Sequence, residues 1–72
     1  MYRVVWAWAV PQHIEKGETV MCLDRKSCTV TEVNEMTWKR AFALLREAVE
    51  LENAAAGEIT RFEFWIEGEE NE

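Results

Sequence analysis

The longest apolar repeat of the chain lies between Asn34 and Gly57 and predicts one substantial helix. Asn34 is a suitable N-cap because its side chain can accept a backbone N–H of the first turn. Val33 and Trp38 have the spacing of a hydrophobic staple, and Gly57 suits the left-handed position that ends a helix. The stripe that such a helix buries comprises Trp38, Ala41, Phe42, Leu45, Ala48 and Val49, with Leu44, Leu51 and Ala55 on one flank.

Shorter segments rich in β-branched and aromatic residues predict four strands. They are residues 2–10, 19–23, 28–33 and 59–66. The first is apolar on both faces, which favours a central position, and Pro11 ends it because proline cannot donate to a strand ladder. The weaker alternation of the third strand favours an edge of the sheet. Residues 12–18 predict a polar loop, and residues 24–27 predict a tight hairpin turn.

The order βββαβ predicts a single α+β domain of two layers over residues 1–66. Hairpins make the first three strands antiparallel in turn, and a right-handed crossover through the helix brings the last strand beside the first. The expected sheet is therefore mixed, four-stranded and ordered 3-2-1-4, with one helix packed on one face. Residues 67–72 are acidic and lack an apolar anchor, so they are expected to form a disordered tail.

Strand parity leaves open which face of this sheet the helix covers. In one interpretation the residues beneath the helix are Val5, Ala7, Ala9, Phe62, Phe64 and Ile66. The uncovered face then carries an aromatic strip of Tyr2, Val4, Trp6, Trp8 and Trp65. In the other interpretation the tryptophans fill the core and the alanines face water. An uncovered strip could receive another protein, form the seam of a homodimer or stack single-stranded bases.

The composition favours some apolar surface on the outside. A chain of 72 residues has room for one small core, yet 49% of its residues are hydrophobic and four are tryptophan. A contiguous apolar patch that the core cannot absorb usually marks a contact with a partner.

Charge is distributed unevenly along the chain, whose formal net charge is −6. Up to Arg46 there are seven basic and five acidic residues, whereas from Glu47 onward there are nine acidic residues and one basic residue. Long-range electrostatics therefore favour a partner protein with a basic surface and disfavour direct binding to nucleic acid.

The chain has no apolar run long enough to span a bilayer, and its start fits a strand better than a secretory leader. A cytoplasmic location is expected, which is the host cytoplasm if the protein comes from a phage. In that setting Cys22 and Cys28 are expected to be thiols rather than a disulfide.

The sequence offers little that is typical of catalysis or metal binding. His13 is the only histidine, and with Cys22 and Cys28 it lacks the close cysteine pair and fourth ligand of a zinc site. No glycine-rich phosphate loop is present, and a small two-layer domain offers little concavity for a pair of catalytic carboxylates. We therefore expect no enzyme activity, no metal and no cofactor.

The residues expected to contact a partner are acids of the second half of the chain and exposed tryptophans. They are Glu47, Glu50, Glu52, Glu58, Glu63, Trp6, Trp8 and Trp65. An acidic strip can occupy a basic groove in place of phosphates, whereas tryptophans are favoured anchors at interfaces. The same acids could instead serve only to keep the domain soluble.

These features predict a small non-enzymatic protein-binding module. One form of it is an inhibitor that blocks a basic, nucleic-acid-binding site, of the kind that phages and mobile elements direct against host defences, including anti-CRISPR proteins. That comparison is one of size and charge, and no motif carries it. The alternative is a structural homodimer that forms through the aromatic face of the sheet.

Overall fold

A computed structural model describes residues 2–55 and 58–67 of the chain. Its strands are β1 (Tyr2–Val5), β2 (Val20–Asp24), β3 (Thr29–Glu32) and β4 (Phe62–Glu67). Its helices are α1 (Val10–Glu15) and α2 (Trp38–Ala55), with short 3₁₀ helices at Ala7–Ala9 and Val33–Glu35. The α+β class is confirmed, but the described part of the chain contains two α-helices where the sequence predicts one.

The four strands form one sheet in the order β1-β4-β2-β3, and every pair of neighbours is antiparallel. The predicted mixed sheet with order 3-2-1-4 is therefore wrong. Phe64 pairs with Val5 on one side and with Cys22 on the other, so the last strand is inserted between the first two. This order is possible because β1 and β2 are not joined by a hairpin: the chain between them leaves the sheet and forms helices.

Residues 6–10 account for the change in topology. The predicted strand over residues 2–10 ends at Val5, and Pro11 lies in the first turn of α1 instead of terminating a strand. Proline is well tolerated there because a first-turn residue needs no N–H for an intrahelical bond. Ala7 and Val10, three residues apart, are both fully buried, so this segment packs through one side of a helical turn.

α2 begins later than the sequence predicts. Thr37 is its N-cap: its Oγ1 accepts the backbone N–H of Arg40 at 3.2 Å. Asn34 instead joins two other segments, because its Oδ1 accepts the N–H of Val20 at 2.8 Å and its Nδ2 donates to the carbonyl of Glu18 at 3.0 Å. The predicted C-cap, Gly57, lies outside the described residues.

The buried side of α2 is made mainly of small residues. Ala41 and Ala48 are buried, and Leu44 and Leu51 pack beside them against the core. Trp38 and Phe42, which the sequence places in the buried stripe, are 78% and 59% exposed. α2 is therefore rotated from the predicted orientation, so that Ala41 and Ala48 face the sheet instead of Trp38 and Phe42. Alanines allow the helix to approach the sheet closely, and the larger side chains that fill the core come from the strands.

The side chains that β1, β2 and β4 direct toward the helices complete the core. They are Val5, Val20, Cys22, Phe62, Phe64 and Ile66. The interpretation that places Val5 and the Phe62–Phe64–Ile66 set beneath the helix is thus confirmed for these residues. Ala7 is also buried, but Ala7 and Ala9 lie in a 3₁₀ helix outside the sheet, and Ala9 is only partly buried. Trp6 and Trp8 leave the predicted strip because the strand ends before them.

The hairpin between β2 and β3 lies where the sequence predicts it. Asp24 and Thr29 form its last pair, and Asp24 Oδ1 accepts the N–H of Lys26 at 3.0 Å. Cys28 closes the turn with φ of 58°, a left-handed conformation that is uncommon for a residue with a side chain. At the other end, Glu67 belongs to β4 and pairs with Tyr2, so the predicted tail starts one residue too early; residues 68–72 lie outside the described part.

Candidate protein-docking face

The sheet has one face turned away from both helices, which we call the open face. Alternation along the four strands places on it Tyr2, Val4, Met21, Leu23, Val30, Glu32, Glu63, Trp65 and Glu67. α1 and α2 both contribute buried residues to the core on the opposite side of the sheet. Within residues 2–55 and 58–67, no helix therefore covers this face.

Apolar side chains occupy the middle of the open face. Trp65 is central: it pairs with Val4 on one side and with Met21 on the other, and its ring centroid is 5.7 Å from that of Tyr2. Tyr2 and Val4 are 59% and 57% exposed. A second apolar row crosses β2 and β3, where Leu23 pairs with Val30. Together these side chains form a continuous apolar surface of the kind that marks an interaction site.

Carboxylates border this apolar surface. Glu63 and Glu67 lie on β4, and Glu32 lies on the edge strand opposite Met21. Arg25, which follows β2, donates to Glu63 and also to the carbonyl of Thr60, so its charge is already paired. The outward-facing positions of the four strands carry no lysine or arginine. The open face is therefore apolar at its centre and negative around it.

Two of the acids predicted to contact a partner are engaged within the molecule in other ways. Glu52 Oε2 accepts the N–H of Ala7 at 2.6 Å, so Glu52 fastens the 3₁₀ segment to α2, while its Oε1 is buried without a hydrogen-bond partner. Glu47 lies 3.6 Å from Arg61, which also donates to Asp24 at 2.8 and 2.9 Å. Only Glu63 of the five predicted acids lies on the open face.

The other predicted contact residues are spread over different surfaces. Trp65 lies on the open face, whereas Trp8 is exposed beside α2. Trp6 and Glu58 line a cleft of about 420 Å³ that also touches Val4 and Glu63, so this cleft adjoins the open face. Glu50 is exposed on α2. The structure thus places Trp6, Trp65, Glu58 and Glu63 on or beside the open face. Glu52 of α2 lines the same cleft, whereas Glu50 lies elsewhere on the helix.

Of the residues on the open face, only Glu63 and Trp65 were among the predicted contacts. Tyr2 and Val4 belong to the predicted aromatic strip, and Glu32 and Glu67 were not predicted contacts. Three apolar residues, Met21, Leu23 and Val30, were in neither set. A signal for them exists in the sequence. The predicted strands around Cys22 and Thr31 alternate, and assigning Cys22 to the core places its two neighbours outward. Assigning Cys22 to the core, however, requires knowing that it pairs with Phe64, and the local sequence pattern does not reveal this long-range pairing.

Titratable groups outside this face form local contacts. His13 Nδ1 donates to Glu18 at 2.5 Å, and this hydrogen bond lowers the pKa of the Glu18 carboxyl. Burial, with a smaller effect of Asp24, raises the pKa of Cys22 to about 11, which makes this thiol unreactive. In the described ranges, no group of three or more histidine, cysteine or acidic side chains is arranged to hold a metal ion.

Comparison with known proteins finds no match: no family model fits the chain, and neither a curated protein nor a solved structure is significantly similar to it. None of the helices described is both long and apolar enough to cross a membrane.

Proposed function

We propose that the protein is a small, non-enzymatic protein-binding module whose docking surface is the open face. The observation that carries this proposal is a sheet face with an apolar centre, a glutamate border and no helix over it among the described residues. Tryptophan and tyrosine supply large contact areas at little conformational cost. Trp65 lies at the centre of this face, and Tyr2 packs beside it.

The chemistry of the open face defines its partner. An apolar centre is stabilised by burying apolar side chains, at roughly 25 cal/mol per Å². The carboxylates of Glu32 and Glu67 favour lysine or arginine around that contact, because complementary charge speeds encounter and selects the partner. We therefore infer a partner surface that is apolar at its centre and basic at its border.

We extend this proposal to inhibition of a basic site on the partner. Acids placed on a rigid sheet can meet cations that otherwise contact phosphates, and a net charge of −6 favours approach to such a site. This is the mode of action expected of a phage or mobile-element inhibitor that acts as a nucleic-acid mimic. Glu63 on the open face and Glu58 in the adjoining cleft would belong to the same contact.

The proposal can be tested with a synthetic 18-residue amphipathic helix of leucine and lysine (about five turns). Its binding is measured by fluorescence anisotropy of a dye on the peptide. Charge reversal of Glu32 and Glu67 to lysine is expected to weaken binding about tenfold, since each surface ion pair contributes up to about 1 kcal/mol. Leu23→Glu, which places a charge in the apolar row, is expected to weaken it further.

The matched control reverses two exposed acids of α2, Glu47→Lys with Glu50→Lys, and so changes the net charge equally. We expect a loss of about threefold or less, because only non-specific attraction is reduced. Equal losses in the two double variants would contradict docking on the open face and would favour the acidic strip along α2.

A structural homodimer through two open faces is the second candidate, and the exposed Tyr2, Val4 and Val30 favour it. It has an electrostatic cost, since Glu32 and Glu67 of two copies would share one interface. Sedimentation velocity at several concentrations tests it: the homodimer predicts a dimer that dissociates on Val4→Glu and that remains intact when α2 is changed.

A further inference from the structure

The molecule has a second apolar surface, on α2, which we call the helical stripe. It comprises Trp38, Phe42, Leu45 and Val49, which follow one another at intervals of four, three and four residues. This spacing places them on one line along the helix, about 80° from the alanines that face the sheet. Leu45 and Val49 are partly buried against the core. Trp38 and Phe42 lie mostly in solvent, and their rings pack on each other with centroids 6.3 Å apart.

A groove runs along this stripe. Trp8 and Pro11 form its other wall, and Phe42, Leu45 and Val49 form the wall on α2. Its volume is about 460 Å³, and its lining is mostly apolar. The exposed Trp8 therefore belongs to the helical stripe side of the molecule and not to the open face.

The charges beside the helical stripe are mainly positive. Lys39 and Arg46 each follow a stripe residue and are exposed; seven residues apart, they lie on the same side of the helix. Glu50 is the one acid among the exposed residues along this margin. The helical stripe thus has the chemistry inferred for the partner of the open face: apolar at its centre, with cations beside it.

We infer that the open face of one copy receives the helical stripe of a second copy. This inference rests on the proposed function, because it names the surface that fills the docking face. Lys39 and Arg46 would approach Glu32 and Glu67, whereas contact between two open faces would bring carboxylates together. A helix on the open face would also repeat the packing that α2 makes on the covered face, and would complete a three-layer arrangement.

The contact is heterologous, since two different surfaces meet. Each molecule keeps one unused open face and one unused helical stripe, so association continues from dimers to longer assemblies as concentration rises. A basic, apolar partner would compete with the stripe for the open face. Self-association would therefore hold the docking face covered until such a partner displaces the neighbouring copy.

Two single variants separate this arrangement from every symmetric one. Val4→Glu blocks the open face and leaves the helical stripe intact, whereas Phe42→Glu blocks the stripe and leaves the open face intact. Both positions are more than half exposed, so both variants are expected to fold. Circular dichroism checks this, and Val30→Glu with Trp38→Glu form a second pair if either variant is unfolded.

Sedimentation velocity between about 10 µM and 1 mM, the range in which weak contacts become populated, gives the readout. Wild-type protein is expected to sediment faster as concentration rises, and each variant alone is expected to stay at the 8.4 kDa of one chain. An equimolar mixture of the two variants is expected to form a dimer that grows no further, because only one complementary pair of surfaces remains.

Other outcomes overturn the inference. A dimer of Phe42→Glu alone would indicate contact between open faces, and a dimer of Val4→Glu alone would indicate contact between helices. A wild-type monomer at all concentrations would exclude self-association. The leucine–lysine peptide is also tested on Phe42→Glu, whose open face is intact. If the peptide binds but the wild type does not self-associate, this inference alone is refuted. If the peptide does not bind, the proposed function is refuted.

Discussion

Asp24 ends β2 and is held by two hydrogen bonds from Arg61, at 2.8 and 2.9 Å. These bonds lower the pKa of Asp24 from 3.8 to about 2, with a smaller contribution from the N–H of Lys26. Because Arg61 also approaches Glu47, this cluster connects the β2 end of the sheet to α2. This cluster stabilises the folded state only while the Asp24 carboxyl is ionised.

We expect the free energy of unfolding to fall as pH decreases from 3.8 toward 2. The pKa of Asp24 is lower in the folded state, so its stabilisation is present above the unfolded value and is lost as the folded group takes up a proton. Urea unfolding at several pH values measures this. Asp24→Asn is expected to be less stable at pH 5 and to show a shallower decline; an unchanged decline would contradict the role of Asp24.

The two cysteines differ in burial, and we therefore expect them to differ in reactivity. Cys22 lies on the covered face of β2, where burial raises its pKa to about 11, whereas Cys28 is exposed in the hairpin turn. Near pH 8, iodoacetamide is expected to modify Cys28 about a hundredfold faster than Cys22, since burial raises the pKa of Cys22 from 9.0 to about 11 and so leaves it about a hundredfold less thiolate. Mass spectrometry should find one adduct on folded protein and two in denaturant. Equal rates on folded protein would contradict the burial of Cys22.

At the scale of elements, the segment after β1 is held in place by Glu52. The Ala7 N–H that Glu52 accepts is at the start of a 3₁₀ helix, where no backbone partner is available. Because Ala7 itself is fully buried, this bond fixes how the chain leaves the sheet and where Trp6 and Trp8 point. Glu52 is therefore a structural residue in addition to its predicted place among the docking acids.

Replacing Glu52 separates these roles. Glu52→Ala is expected to destabilise the domain by roughly 1–3 kcal/mol because the buried Ala7 N–H loses its acceptor. Glu52→Gln keeps an acceptor oxygen and is expected to lose less than about half of that. Urea unfolding gives both values. A Glu52→Ala variant as stable as the wild type would show that this bond contributes nothing to the fold.

Local chemistry explains which elements the sequence predicts well. α2 is long and periodic, so its existence follows from the spacing of Ala41, Ala48 and their neighbours, although its rotation does not. The hairpin follows from the turn residues around Asp24. Residues 6–10 are predicted wrongly as a strand because Ala7 and Val10 are compatible with either a strand or a helical turn. Pro11 does not decide between them, since proline can end a strand or occupy the first turn of a helix.

The sheet order illustrates what the sequence leaves unspecified. β4 is apolar on its covered side at Phe62, Phe64 and Ile66, and it carries Trp65 on the other, so it suits a central place as well as β1 does. The strands that pair with β4 are determined by long-range contacts, which depend on the chain forming helices between β1 and β2. The open face could be predicted only in part for the same reason: Tyr2, Val4 and Trp65 follow from parity, whereas Met21 and Leu23 need the pairing with β4.

At the scale of the whole molecule, charge and apolar surface are arranged by the fold and not by position in the chain. The acid-rich second half contributes Glu63 and Glu67 near the two ends of β4, and the first half contributes Glu32 to the edge strand β3. Basic residues of the first half, Lys39 and Arg46, lie beside the helical stripe in the other layer. Two complementary surfaces on one small domain are the basis for both proposals.

Chemical-shift mapping can show whether the open face is the surface that binds a basic, apolar partner. The leucine–lysine peptide is titrated into ¹⁵N-labelled Phe42→Glu protein, in which the helical stripe cannot compete. We predict the largest shifts at Val4, Met21, Val30 and the Trp65 indole N–H. Shifts confined to α2 around Glu47 and Glu50, with the sheet unchanged, would show that the peptide binds the helix and not the open face.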